Sequence, residues 1–133
     1  MVKSLKAEVR EVKPAVAEFT VQPFGRVTIK LHPIDFTIYQ VGGGYLVNIL
    51  AKQYIGVEVR YFGGVPCAPE LPRIVVGLER SELGTARLEV GSDVIDVYME
   101  IVKVMLAPNA SDIEGLPCVN AQWVHGIRVQ PRS

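Results

Sequence analysis

Apolar and polar positions alternate along much of this chain, in short runs set apart by glycine and proline. Arg26–Leu31 sends Val27, Ile29 and Leu31 to one side and Arg26, Thr28 and Lys30 to the other. That period of two is the signature of a strand with one face packed and one face wet. Val57–Phe62 alternates in the same way and reads as the most secure strand, with Arg73–Glu79 close behind. Ala15–Gln22 holds Val16, Phe19 and Val21 ahead of a Pro23-Phe24-Gly25 turn, and Thr85–Val90 precedes a hairpin-type Gly91-Ser92-Asp93. His32-Pro33 is expected to break the run before Asp35–Val41. Gly63-Gly64, Pro66–Pro72 and Ala107–Asn120 read as loop, and Trp123–Gln130 as a last strand.

Two segments fit either period. Gly42-Gly43-Gly44 permits a tight hairpin between Phe36–Val41 and Tyr45–Ala51, because glycine takes positive φ without steric cost. The competing reading is a helix at about 45–55, on the spacing of Leu46, Ile49 and Leu50 and stopped by Gly56. In 93–106, Asp93, Asp96, Glu100 and Lys103 lie at helical spacing with Ser92 as cap. Against this, Ile95, Val97, Met99 and Ile101 alternate with Asp96, Tyr98 and Glu100, and Val, Ile and Tyr dominate. A long strand that switches faces at a bulge near Val102 fits that run.

The expected fold is therefore all-β: a single-domain sandwich, jelly roll or barrel of about 8–9 strands, by the count of alternating runs. The alternative is an α+β fold with helices at 45–55 and 93–106. In that alternative three strands and a helix occur twice, with Val41-Gly42 set against Val90-Gly91 as a faint internal repeat. Residues 14–133 form the globular unit. Residues 1–13 read as an N-terminal arm, in which Val2, Leu5, Val9 and Val12 make a narrow apolar stripe. Such an arm can dock on a neighbour, or fold back on its own domain.

Composition supports a packed domain. Hydrophobic residues make up 49% of the chain, too many for a disordered polymer. Fourteen basic and fourteen acidic residues cancel, so no net field draws the molecule to nucleic acid or an anionic membrane. No apolar run is long enough for a spanning helix, and no signal-like core opens the chain. The expectation is a cytoplasmic or virion protein with no membrane partner. The 21 valines, against three Asn and five Gln, fit a thermophilic source.

Chemistry is sparse. His32 and His125 lack partners at metal-ligand spacing, and the serines lack a nucleophile-elbow context, so no catalytic residue, metal or cofactor is assigned. Cys67 and Cys118 each follow a proline. They are either two unpaired thiols or a disulfide closing a loop of roughly 50 residues, worth about 4 kcal/mol on the chain-entropy model. The expected function is non-enzymatic: a structural, viral or accessory subunit acting through protein–protein contacts or self-association. The alternative is a nucleic-acid-binding module. It would use a basic and aromatic sheet face built from Arg26, Lys30, Tyr39, Arg60 and Phe62.

Overall fold

The computed structural model describes residues 3–132. They form eleven strands and, among the described residues, no helix: β1 (Lys3–Leu5), β2 (Glu8–Lys13), β3 (Ala15–Val21), β4 (Gly25–Val41), β5 (Gly44–Val57), β6 (Val65–Pro66), β7 (Ile74–Val75), β8 (Arg80–Glu82), β9 (Gly84–Val90), β10 (Asp93–Ser111) and β11 (Pro117–Pro131). One sheet runs β8-β3-β4-β5, with β1 beside the far half of β4. The other runs β2-β9-β10-β11, with β6 and β7 beside the far half of β10. All ladders are antiparallel except the short β6–β10 pairing. The expected sandwich is present. Both contested segments are strands, since burying Val47 in β5 and Ile95, Val97, Met99 and Ile101 in β10 requires the two-residue period.

The fold is a duplication. Strands β1 to β5 and β7 to β11 repeat one design, with Ala15–Val21 of β3 matching Gly84–Val90 of β9 at a constant shift of 69 residues. The Leu5–Ile38 pair of β1–β4 matches the Ile74–Leu106 pair of β7–β10, with Ile38 and Leu106 separated by 68 residues because the turn after β9 is one residue shorter than that after β3. The long hairpins agree down to an irregularity. Ile34 is an extra residue between the Pro33–Ala51 and Asp35–Leu50 pairs. Val102 is extra between the Ile101–Trp123 and Lys103–Gln122 pairs. A bulge bends its strand, so each long strand turns at the same place. The longest identical stretch between the repeats is Val47-Asn48 against Val119-Asn120. The true repeat also differs from the one expected, because Val90-Gly91 corresponds to the turn after Val21 and not to Val41-Gly42.

The repeats exchange strands. β2 precedes β3 but pairs with β9, and β8 precedes β9 but pairs with β3. The chain crosses between sheets at Pro14 and at Leu83, which occupy equivalent positions. Charge distinguishes the two exchanges. Glu18 of β3 meets Arg80 of β8 at 3.1 Å, whereas Arg87 of β9 meets Glu11 of β2 at 3.9 Å. Each pair is the sign-reversed image of the other, so β2 laid on β3 would bring Glu11 beside Glu18.

Two apolar clusters fill the interior. One joins Ala17, Phe19, Val27 and Ile29 of the first repeat to Met99, Ile101 and Val104 of the second. The other joins Ala86, Leu88, Ile95 and Val97 of the second to Ile38 and Val47 of the first. Neither repeat completes its own core, so the two share one interior.

Several boundaries differ from those expected. β4 runs unbroken through His32-Pro33. Pro33 sits where β3 has already stopped and β1 has not begun, so its missing N–H breaks no ladder on that side. Val57–Phe62 is not a strand beyond Val57, since 58–62 leaves the ladder and turns across Phe24, Val59 N donating to the Phe24 carbonyl. Only Ile74–Val75 of Arg73–Glu79 is laddered. Part of Ala107–Asn120 extends β10 and begins β11. The bulge near Val102 lies where alternation places it.

Candidate functional site

The outer face of the β4–β5 hairpin follows from the inner one. With Val27, Ile29 and Leu31 in the core, Arg26, Thr28, Lys30 and His32 must point outward. On β5, buried Val47 sets Leu46, Leu50, Lys52 and Tyr54 outward. Cross-strand register then puts Lys30 opposite Tyr54 and His32 opposite Lys52. The Lys52 ammonium lies 5.2 Å from the Tyr54 ring centroid, within cation–π range. The His32 ring meets Tyr54 edge-on at 5.3 Å.

A cleft of about 660 Å³ opens beside this group, lined by Lys13, Thr28, Lys30, Tyr54, Gly56 and Arg80 among others. A side chain at Gly56 would meet nothing within 4 Å, so its absence leaves the floor open. Along one wall Arg80 bonds Glu18 and Glu82 at 3.1 and 2.6 Å. Its hydrogen bonds hold both carboxyls below the ordinary carboxylate range, with Thr28 also donating to Glu18. The Arg80 guanidinium is raised in return, chiefly by Glu82. By contrast Lys13, Arg26, Lys30 and Lys52 form no salt bridge among the described residues.

Of the sequence-selected surface, Arg26, Lys30 and Tyr39 share this face, with Tyr39 toward its far end opposite Leu46. Arg60 and Phe62 do not join them. Both lie past the end of β5 beside Gly115, and Arg60 donates to the Glu114 carbonyl at 3.1 Å. Lys52 and Tyr54 were missed by sequence reasoning, and His32 was weighed there without being joined to this face. Strict alternation through Tyr45–Val57 carries the signal, but the rival helical period obscured it.

Cys67 and Cys118 are joined as a disulfide with Cα atoms 5.7 Å apart. The bridge ties the 58–73 connection to the tip of the β10–β11 hairpin, where Leu71 packs on Ala107, Ala110 and Cys118. Ser111 Oγ donates to the Gly63 carbonyl there at 2.7 Å. The first repeat's hairpin tip, Gly42-Gly43, has no such tether among the described residues.

The arm does not stand apart. Leu5 lies in β1 against β4, while Val9 and Val12 lie in β2, an exposed edge strand on β9. Val2 falls outside the described residues. Of the two readings of this segment, the described residues show it folded back on its own domain, β1 pairing within its own repeat and β2 completing the other.

β5 and β11 each pair on one side only, and they approach where His125 Nε2 lies 3.2 Å from the Val47 carbonyl oxygen. Beyond that point every residue from Val124 to Val129 is exposed. Ile127 and Val129 continue the inward-facing series, yet are 36% and 43% exposed. Their counterparts Ile55 and Val57 pack on the core cluster that includes Phe24, alongside Tyr61. The second repeat's turn, Gly91-Ser92, has no aromatic to match Phe24.

Among the described residues no three His, Cys, Asp or Glu side chains converge as a metal site, and no helix is long and apolar enough to cross a membrane. Architecture and site together define an all-β sandwich of two strand-exchanged repeats, the first of which carries a basic, aromatic outer face. No family model, curated protein or solved structure matches this chain.

Proposed function

We propose that this protein is a structural subunit that assembles with copies of itself through the distal half of β11. The observation that carries this reading is the uncovered apolar end of that strand. Val124, Ile127 and Val129 are exposed on a sheet edge with a single charge, Arg128, over residues 124–129. Edge strands are normally shortened, charged or covered, since unpaired N–H and C=O groups template further pairing. β11 is 15 residues long and keeps its prolines at its two ends, Pro117 and Pro131. The first repeat supports the same reading, because there the equivalent strand end is covered by Phe24 and Tyr61. A second copy adding its own β11 antiparallel would supply both the missing ladder and the missing apolar cover.

Sedimentation velocity over a concentration series tests this. The wild-type chain is expected to associate, and the Ile127→Lys, Val129→Lys double variant to remain monomeric with an unchanged far-UV spectrum. A wild-type chain that stays monomeric at high concentration overturns the proposal.

A further inference from the structure

We infer a second, separate site: the outer face of β4–β5 binds single-stranded nucleic acid, with Tyr54 and His32 as stacking surfaces and Arg26, Lys30, Lys52 and Lys13 on the phosphates. Three observations carry it independently of self-assembly.

The first is charge without partners. Half of the eight arginines are spent on carboxylates: Arg10, Arg80, Arg87 and Arg132 all sit in salt bridges. Lys13, Arg26, Lys30 and Lys52 form none among the described residues, although Glu18, Glu82, Asp35 and Glu58 lie on neighbouring positions. Glu18 and Glu82 are already held by Arg80, and Glu58 accepts the Arg26 backbone N–H at 2.7 Å.

The second is geometry. Arg26, Lys30 and His32 fall on one line along β4, and two strand residues advance about 6.7 Å. From Arg26 to His32 the row therefore spans roughly 20 Å. Lys52 and Tyr54 flank that row from the adjacent strand. Alternating cations beside flat rings give an extended strand places for both its phosphates and its bases, and stacking accepts any base. Loss of a side chain at Gly56 leaves room beside Tyr54 for a base to lie flat.

The third is the duplication, which acts as an internal control. The positions equivalent to Lys30, His32, Lys52 and Tyr54 in the second repeat are Tyr98, Glu100, Val124 and Gly126, set by the matching pairs Tyr98–Gly126 and Glu100–Val124. The scaffold is the same, but none of these four positions carries a cation and the one aromatic, Tyr98, faces a glycine. Folding therefore does not require the basic, aromatic face, and the first repeat carries it for another reason. An acidic polypeptide would satisfy the cations but leaves the rings without a role, which favours bases.

Fluorescence anisotropy with labelled oligo-dT of about 12 nucleotides tests the assignment, at a length within the usual site size. With three to four phosphates neutralised, affinity is expected to fall roughly 20- to 50-fold between 50 and 200 mM salt. Lys30→Glu with Lys52→Glu should weaken binding at least tenfold and flatten that salt dependence. Tyr54→Ala should weaken it roughly tenfold while leaving the salt dependence unchanged. Glu100→Ala on the equivalent face should have no effect, and the Ile127→Lys, Val129→Lys variant should bind as wild type. That last arm separates this site from the assembly reading. Absence of oligo-dT binding at 50 mM salt overturns the inference. So does equal binding of poly-glutamate or duplex DNA, or indifference to Tyr54→Ala.

Discussion

The two repeats share a backbone design down to the bulge, yet present different surfaces. The first repeat offers a basic, aromatic outer face and a bare two-residue hairpin tip. The second offers Tyr98, Glu100, Val124 and Gly126 at the same positions, a tip stapled by Cys67–Cys118, and a strand end without its apolar cover. What the repeats share is what the fold needs: inward Val, Ile and Leu at alternate positions, a bend midway along the long strands, and a crossing residue between sheets. What differs is free to serve contacts outside the chain. Duplication thus separates the residues this fold requires from those it leaves free to vary.

That comparison can be broken most forcefully at the cores. Phe19 and its counterpart Leu88 are almost fully buried, so Phe19→Ala should cost about 3–5 kcal/mol and Leu88→Ala about 2–5 kcal/mol. Because each cluster draws on both repeats, either variant should still unfold in one transition by urea denaturation. Two separate transitions would show the repeats to be independent. Opening the staple comes next. Cys67 and Cys118 are 51 residues apart, and replacing both with Ala should remove up to about 4 kcal/mol, an effect reductant should mimic on the wild type. A melting temperature indifferent to reductant contradicts this.

A smaller asymmetry lies where the repeats touch. A Cβ on Gly84 would sit 2.6 Å from the Ala15 backbone nitrogen, its own counterpart in the first repeat. Gly84→Ala should therefore cost about 1–3 kcal/mol, and the reverse change Ala15→Gly roughly 0.5–1 kcal/mol. Equal costs at the two positions would argue that the crossing is not tight.

The smallest effect is electrostatic. Arg80 depresses the Glu18 and Glu82 pKa values on folding, so their contribution is full above the unfolded carboxylate pKa and fades as pH falls through the lower, folded values. Arg80→Ala should flatten that acid limb of the stability curve, by a modest amount because the groups face solvent. An acid limb identical to wild type in urea titrations would remove the ion pair from the account.

Much of this fold was legible residue by residue. Val27, Ile29 and Leu31 alternate with charges, and a strand is the only element that buries one set and wets the other. The bulge at Val102 was legible because the apolar series changes parity there, with Ile101 and Val104 both buried. Val57–Phe62 misled because alternation records which faces are wet, not whether a ladder partner exists. Val59 and Tyr61 alternate with Glu58 and Arg60 beside no strand at all. The candidate site was half legible: Arg26, Lys30 and Tyr39 were chosen on alternation, whereas Arg60 and Phe62 were placed with them by a strand that ends at Val57.

The sequence alone determined the class of element wherever one period was unambiguous, as in Arg26–Leu31, and the even balance of charge, since these depend on local period and composition. That 45–55 and 93–106 are strands was settled by the structure. Strand partners, the exchange of β2 and β8 between sheets, the bond between two cysteines 51 residues apart and the grouping of Lys30, His32, Lys52 and Tyr54 were decided only by the tertiary structure. The reason is physical. Alternation fixes which way a side chain points relative to its own strand, but which strand lies beside it is set by packing two incomplete cores against each other.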